Sequence, residues 1–153
     1  MPTAPLAGIR VIDFTTVIAG PYCTRLLADC GAEVIKIETE AGDQIRQVPP
    51  MSDGASSYFA HLNCGKKSVV LDLRSEAGHA AALKLAASAD VVVENFRPGV
   101  MSRLDLDYTR LAADHADLIY CAISGFGQTG PRAMEPAYAP IIHAAAGLDL
   151  AQM

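Results

Sequence analysis

Residues 9–38, IRVIDFTTVIAGPYCTRLLADCGAEVIKIE, decide the fold. Residues 9–14 form a short apolar run of the kind that makes a buried strand. A loop of small residues, 15–20, follows. Pro21 then stands where a first helical position is expected, and residues 21–31 read as a helix closed by Gly31. Residues 33–37 (EVIKI) are a second β-branched strand. A strand, a helix and a strand joined by short loops predict a parallel pair.

Working outward, residues 68–73 (SVVLDL) read as a strand. Residues 76–88 read as an Ala-rich helix capped by Ser75, and 91–94 (VVVE) as another strand. A short helix over 107–114 and a strand over 118–123 (LIYCAI) follow. Residues 40–61 contain PPMSDGASS and little apolar periodicity, so they are expected to be an extended surface loop. The fold class is therefore α/β, with a Rossmann-like parallel sheet and flanking helices. No internal repeat or low-complexity run interrupts it. The stretch 137–153 reads as a helix that stops abruptly in an apolar pattern, and the expectation is a chain cut within a larger domain.

The 153 residues are 51% hydrophobic, enough for one packed core. A net charge of -5 argues against a nucleic-acid partner, which calls for a basic face. An anionic small molecule remains compatible, because a few placed Arg and Lys residues suffice for it. The N-terminus has no basic segment followed by an apolar run, and no apolar stretch reaches the roughly 18 residues that span a bilayer. The expectations are no membrane association and a cytoplasmic location. Cys23, Cys30, Cys64 and Cys121 form no CxxC and no metal-ligand spacing with the four histidines, so they are expected to be core thiols, with no metal site.

Three stretches have the residue types for ligand binding. The loop 15–21 lies at the C-terminal end of the first strand, where open α/β sheets bind ligands; small residues there admit a ligand, and the helix start can face an anion. An ordinary βα turn has the same composition. Asn95 and Phe96 end the strand VVVE and offer an amide and an aromatic face, while Arg74, Arg97 and Arg103 could meet phosphates or be solvated surface charges. Residues 125–130 (GFGQTG) match GxGxxG, with Asp149 about 20 residues on, as in a dinucleotide site. Pro131 and Pro136 prevent the helix that a pyrophosphate would need there. The histidines form no triad and read as structural.

Together these stretches resemble one family. Residues 6–38, then LNCGKKSVVLDL (62–73), ADVVVENFRPGV (89–100) and LIYCAISGFGQTGP (118–131), look in order like the opening of class III CoA-transferases. That group includes formyl-CoA and carnitine CoA-transferases and the α-methylacyl-CoA racemases. The resemblance covers residues 1–153 and identifies them as the N-terminal, CoA-binding part of the family's large domain.

The resemblance implies a CoA site lined by Val17, Ile18 and Ala19, by Leu71 and Arg74, and by Asn95, Phe96 and Arg103 near the nucleotide end. Coenzyme A or an acyl-CoA would be a substrate, with no permanently bound cofactor and a carboxylic acid as the second reactant. One departure is Thr39, where many relatives carry Arg. Racemases place a catalytic His where Tyr138 stands and Asp where Ala139 stands. A Tyr, with a reference pKa of about 10, cannot replace that base, so transfer is favoured over racemisation and Tyr138 becomes an active-site wall. Transfer in the family uses an Asp nucleophile, expected beyond Met153; Asp149 is not in its motif. The whole parent is expected to be an intertwined homodimer, and this chain alone to be inactive. Alternatives are a non-catalytic truncated or split binding module, a racemase, and a dinucleotide-binding oxidoreductase.

Overall fold

The computed structural model describes residues 4–151; Gln152 and Met153, the end of the tail expected to be cut, lie outside the described residues. The chain runs β1 (Arg10–Asp13), α1 (Ala19–Asp29), β2 (Glu33–Glu38), a 3-10 turn (Gln44–Gln47), β3 (Met51–Ser52), β4 (Ala55–Ser56) and α2 (Ser57–Asn63). It continues with β5 (Lys67–Val70), α3 (Glu76–Ala86), β6 (Val91–Glu94), α4 (Val100–Arg103), α5 (Tyr108–Ala112), β7 (Ile119–Ala122), α6 (Ala139–Ala145) and α7 (Leu148–Ala151).

Five strands form one sheet in the order β5-β2-β1-β6-β7, every pair parallel. The α/β class read from residues 9–38 is what forms. Central β1 is buried on both faces, as parallel sheets require. Its alternation sends Val11 to one face, with Ala32, Val34 and Val93, and Ile12 to the other, with Ala82, Ala86, Val92 and Leu106. Helix α1 covers the first face through Leu27 and Ala28, and α3 covers the second through Ala82 and Ala86. Ile12 is fully buried, worth about 1.5–3 kcal/mol for one such side chain.

Helix α1 starts at Ala19, two residues before Pro21. The first-turn amides have no intrahelical acceptor, so Pro21 loses no bond there. Ser75 caps α3 as expected, accepting from Gly78 N–H at 3.1 Å. Strand β5 stops at Val70 rather than 73. Leu71 N–H still reaches the Glu38 carbonyl, at 2.9 Å, but Asp72 Oδ1 accepts from Arg74 N–H and bends the chain into α3.

Residues 40–61 are not an extended loop. Asp53 and Gly54, both at positive φ, turn the β3–β4 hairpin, and Ser56 caps α2 by accepting from Phe59 N–H. The Arg46 guanidinium lies 3.8 Å from the Phe59 ring centroid and holds this segment to the 3-10 turn. Seven helical residues are too few for a periodic signal. Two cysteine expectations are also corrected: Cys30 and Cys64 are exposed, because each sits at a helix C-terminus, while Cys23 and Cys121 are half-buried.

Candidate functional site

All five strands end on one edge of the sheet. The chain travels outward through β1, β2 and β5, then returns to the other side of β1 for β6 and β7. The order reverses between β1 and β6, and ligands of open α/β sheets bind at such a switch point. The two loops read as ligand-binding meet there. Asn95 Oδ1 accepts from Thr16 N–H and Asn95 Nδ2 donates to the Thr16 carbonyl, each at 2.8 Å.

Consecutive amides of the β1–α1 loop are each taken by a different side chain. Thr15 N–H donates to Asp13 Oδ1 at 2.8 Å, Thr16 N–H to Asn95, and Val17 N–H to Asp43 Oδ1 at 3.4 Å. Lys36 Nζ donates to the Thr15 carbonyl at 2.6 Å. These amides therefore make no anion cradle. What this loop presents is side chain: Val17 half-buried, Ile18 45% exposed and Ala19 exposed at the helix start. Gly20 is required for the geometry, since a Cβ there would stand 2.4 Å from Thr15 Cβ.

Beneath the loop runs a buried ionic network. Asp13 also accepts from Thr24 Oγ1 at 2.6 Å and pairs with Lys66 at 3.0 Å. Lys66 donates in turn to the Pro21 carbonyl and to Asn63 Oδ1, both at 2.8 Å. Burial pushes the Lys66 ammonium below its ordinary value, with Asp13 pulling the other way. Lys36 meets Asp43 Oδ2 at 3.1 Å as an ion pair without a directed hydrogen bond. Asp43 N–H donates to Glu38, which also accepts two 2.7 Å bonds from Arg46 and one from Ser68. Burial alone would raise the Glu38 carboxyl; Arg46, Ser68 and the Asp43 amide override it and hold it at about 2.

Sequence reading passed over Asp13, Lys36, Asp43 and Lys66. For Asp13 and Lys36 the available signal was a charge inside an apolar strand; Asp43 and Lys66 lie in the connections and carry no such signal. Asp13 and Lys36 turn out to be partners in the β1–β2 register, which no single strand discloses.

An apolar cleft of about 70 Å³ opens beside Thr16, walled by Phe14, Ile37, Thr39, Leu71 and Phe96. Leu71 and Phe96 line the same cleft, and Asn95 adjoins it through Thr16. That volume is well below the roughly 300–1,000 Å³ of a whole-ligand pocket, so the cleft has room for only one part of a ligand of that size. Thr39 stands in the wall where many relatives carry Arg, and the charged residues that also line it, Lys36, Glu38 and Asp43, are engaged in the buried network. Arg74, Arg97 and Arg103 are exposed and do not line the cleft. Arg74 follows β5 at this edge, and the Arg103 guanidinium folds back toward Gly99, 3.6 Å from where a Cβ would stand. Glu94 is buried below Asn95, and burial pushes its carboxyl up against the opposing pull of Phe96 N–H.

A larger hollow of about 210 Å³ between α3 and α5 involves Leu83, Lys84 and Arg110. It lies along the C-terminal half of α3, toward the opposite sheet edge, and none of the ligand loops reaches it. Gly125–Gly130 opens no helix: the next begins at Ala139, and Arg132 stacks on Phe126 at 4.0 Å. The dinucleotide reading has no pyrophosphate-binding helix start. Tyr138, expected as an active-site wall, is 69% exposed and precedes α6 without a capping bond. Among the described residues no three His, Cys, Asp or Glu converge as metal ligands, and no helix is long and apolar enough to cross a membrane.

Residues 6–152 match the family described as CoA-transferase family III. The chain is 47% identical over 151 residues to an acetyl-CoA:oxalate CoA-transferase of Acetobacter aceti, covering 98% of this chain and 39% of that one. It is 46% identical over 152 residues to a succinyl-CoA:mesaconate CoA-transferase of Haloarcula hispanica, covering 94% and 38%. A crystal structure of a CAIB/BAIF family protein from Brucella suis superposes with a TM-score of 0.90 at 40% identity, over 95% of this chain and 40% of that one. The chain thus spans under two-fifths of the length of these curated relatives.

Proposed function

Because the chain belongs to CoA-transferase family III, we propose that it forms the coenzyme A-binding part of an enzyme that moves CoA between an acyl-CoA and a carboxylic acid. The observation that carries this reading is the meeting of Thr16 and Asn95 at the switch point, beside a cleft walled by Leu71 and Phe96. In it Val17, Ile18 and Ala19 form an alkyl wall, and Phe96 and Leu71 take a flat face of the nucleotide. Asn95 has one hydrogen and one lone pair left for a base edge, and Arg74 and Arg103 close on phosphates. The acyl-CoA is a substrate and no resident cofactor is needed.

The covalent step is an attack by an Asp carboxylate on the acyl-CoA carbonyl. CoA leaves as thiolate, which attacks the aspartyl carbonyl of the resulting mixed anhydride and expels the donor acid as its carboxylate, leaving an enzyme thioester. The acceptor carboxylate then displaces CoA thiolate to form a second anhydride. The thiolate attacks its acceptor carbonyl, giving the new acyl-CoA and freeing the Asp carboxylate. No residue in 1–153 matches that nucleophile by resemblance, so the step is assigned to another part of the whole protein, which would work as an intertwined homodimer in the cytoplasm. The same gap supports the second reading, a binding module without turnover of its own. Racemisation is disfavoured, because Tyr138 stands in place of the His base.

Two measurements test the proposal. Calorimetry on the 153-residue chain should show CoA binding, and binding no tighter than to free adenosine would reject the site. The whole protein should move CoA onto dicarboxylic acids such as the oxalate, mesaconate and glutarate in its relatives' names, while this chain alone should not. Turnover by the chain alone would place the nucleophile within it.

A further inference from the structure

Val17 has φ +70°. Glycine adopts that conformation freely, whereas for a β-branched residue it is a genuine outlier that persists only when its surroundings impose it. The surroundings here are two buried charges. Lys36 from β2 and Asp43 from the β2–3-10 connection have side chains 1% and 0% exposed. Lys36 grips the Thr15 carbonyl on one side of the turn, and Asp43 takes the Val17 amide on the other. The 3.1 Å ion pair between them fixes the separation of the two grips. Asp43 is itself held, through its own N–H to Glu38 and by capping Ile45 N–H at 3.1 Å. The strained residue is thus bracketed by the two partners of one buried ion pair.

We propose that Lys36 and Asp43 are positioning residues that hold Val17 in the left-handed region and so set where the Val17–Ile18–Ala19 wall stands. They touch no ligand in this arrangement; they act through the turn. A buried ion pair is weak as a source of stability, since apolar residues of similar volume often replace one at no loss. Geometry is what such a pair supplies best. The link to ligand rests on the coenzyme reading above, while the link to Val17 does not.

The test separates the two. Val17→Gly is made in the unaltered chain and in a chain carrying Lys36→Met with Asp43→Leu, which removes both charges while keeping volume. In the unaltered chain glycine relieves the imposed backbone, so the urea midpoint holds or rises. In the uncharged background Val17 has already relaxed, and glycine only adds unfolded-state freedom, so the midpoint falls. An equal shift in both backgrounds overturns the proposal. A readout that needs no folded variant is amide exchange of the unaltered chain: Val17 N–H should be protected, and exchange at an open-loop rate also overturns it. For ligand, the uncharged pair should weaken CoA binding about tenfold, and Val17→Gly should not weaken it further; the factor matches the release of one strained residue. If the unaltered chain binds no CoA, the functional reading fails and the midpoint cycle still decides the positioning claim.

Discussion

The side-chain amide of Asn95 is a two-way clasp on Thr16, donating to its carbonyl and accepting from its N–H, across 79 positions of sequence. The geometry imitates one rung of a sheet ladder just beyond the point where β1 and β6 stop pairing. The last rung proper is Phe14 N–H on the Val93 carbonyl, at 2.9 Å. A side chain thereby extends the β1–β6 pairing past the strand ends, into the mouth of the switch point, and keeps the loops that follow β1 and β6 at a fixed separation.

Removing the clasp should cost stability in proportion to its two bonds. Each neutral hydrogen bond is worth about 0.5–1.5 kcal/mol net, so Asn95→Ala should destabilise the fold by about 2 kcal/mol. Asn95→Asp should be at least as damaging, because it retains an acceptor for Thr16 N–H but faces the Thr16 carbonyl with an anion. Urea unfolding measures both; an Asp variant as stable as the parent would show that the Thr16 carbonyl is served by something else.

Arg74 and Arg103 should matter for ligand and not for folding. Neither makes a side-chain ion pair within 4.0 Å among the described residues, and both are exposed. Either one changed to Ala should leave the thermal midpoint within a degree or two. If a phosphate desolvates the guanidinium, each loss should weaken CoA binding by about 1.5–3 kcal/mol, and by less where solvent screens the contact. Calorimetry in 50 and 300 mM salt reads this, and unchanged affinity in both variants removes the two residues from the site.

The fold was legible because its decisive signals are local. Gly31, Ser75 and the runs VIDF and VVVE each work within their own element. The clefts and clamps were less so, because they depend on register. Asp13 in one strand and Lys36 in the next look like isolated charges in apolar runs until the strands pair. Helix α2 escaped notice for a different reason. Its seven residues are held by a cap at Ser56 and by Arg46 over Phe59, and the second contact comes from outside the helix. Leu71 and Phe96, named from the sequence, line the cleft beside Thr16, while the clasp of Thr16 on Asn95 gave no sequence signal, since on the Thr16 side it is made entirely by backbone atoms.

Two buried carboxyls should bend the pH profile of stability in opposite directions. Glu38 is held at about 2, so its contribution is fully present above its unfolded value near 4.5 and is lost as pH falls from there toward about 2. Glu94 is raised by burial, so it penalises the folded state as pH rises from its unfolded value through its folded one. Stability should therefore decline on both sides of a mildly acidic optimum. Glu38→Gln should flatten the acid limb and Glu94→Gln the limb above pH 4.5, where the neutral amide no longer has to ionise. Denaturant midpoints from pH 3 to 7 test each limb separately, and an unaltered upper limb in Glu94→Gln would assign that slope to another group.

Association is the remaining expectation. Helix α6 has no buried residue, and Met134, Tyr138 and Leu150 are 70%, 69% and 76% exposed. Ile141 and Leu148 in the same stretch are also exposed. A second stripe runs from the α1 N-cap along the helix, where Ile18, Tyr22 and Leu26, spaced four apart, are each nearly half exposed. Exposed apolar side chains in this number are the kind that mark an interface or an aggregation site when they form one patch. The 153-residue chain should accordingly sediment with a weight-average mass that rises with concentration. Met134→Glu with Leu150→Glu should lower that mass at fixed concentration without shifting the urea midpoint, because neither side chain packs in the core. If the substitutions leave sedimentation unchanged while Leu26→Glu reduces it, the α1 stripe is the contact. A parent chain that stays monomeric throughout would show that these side chains are tolerated in water without a partner.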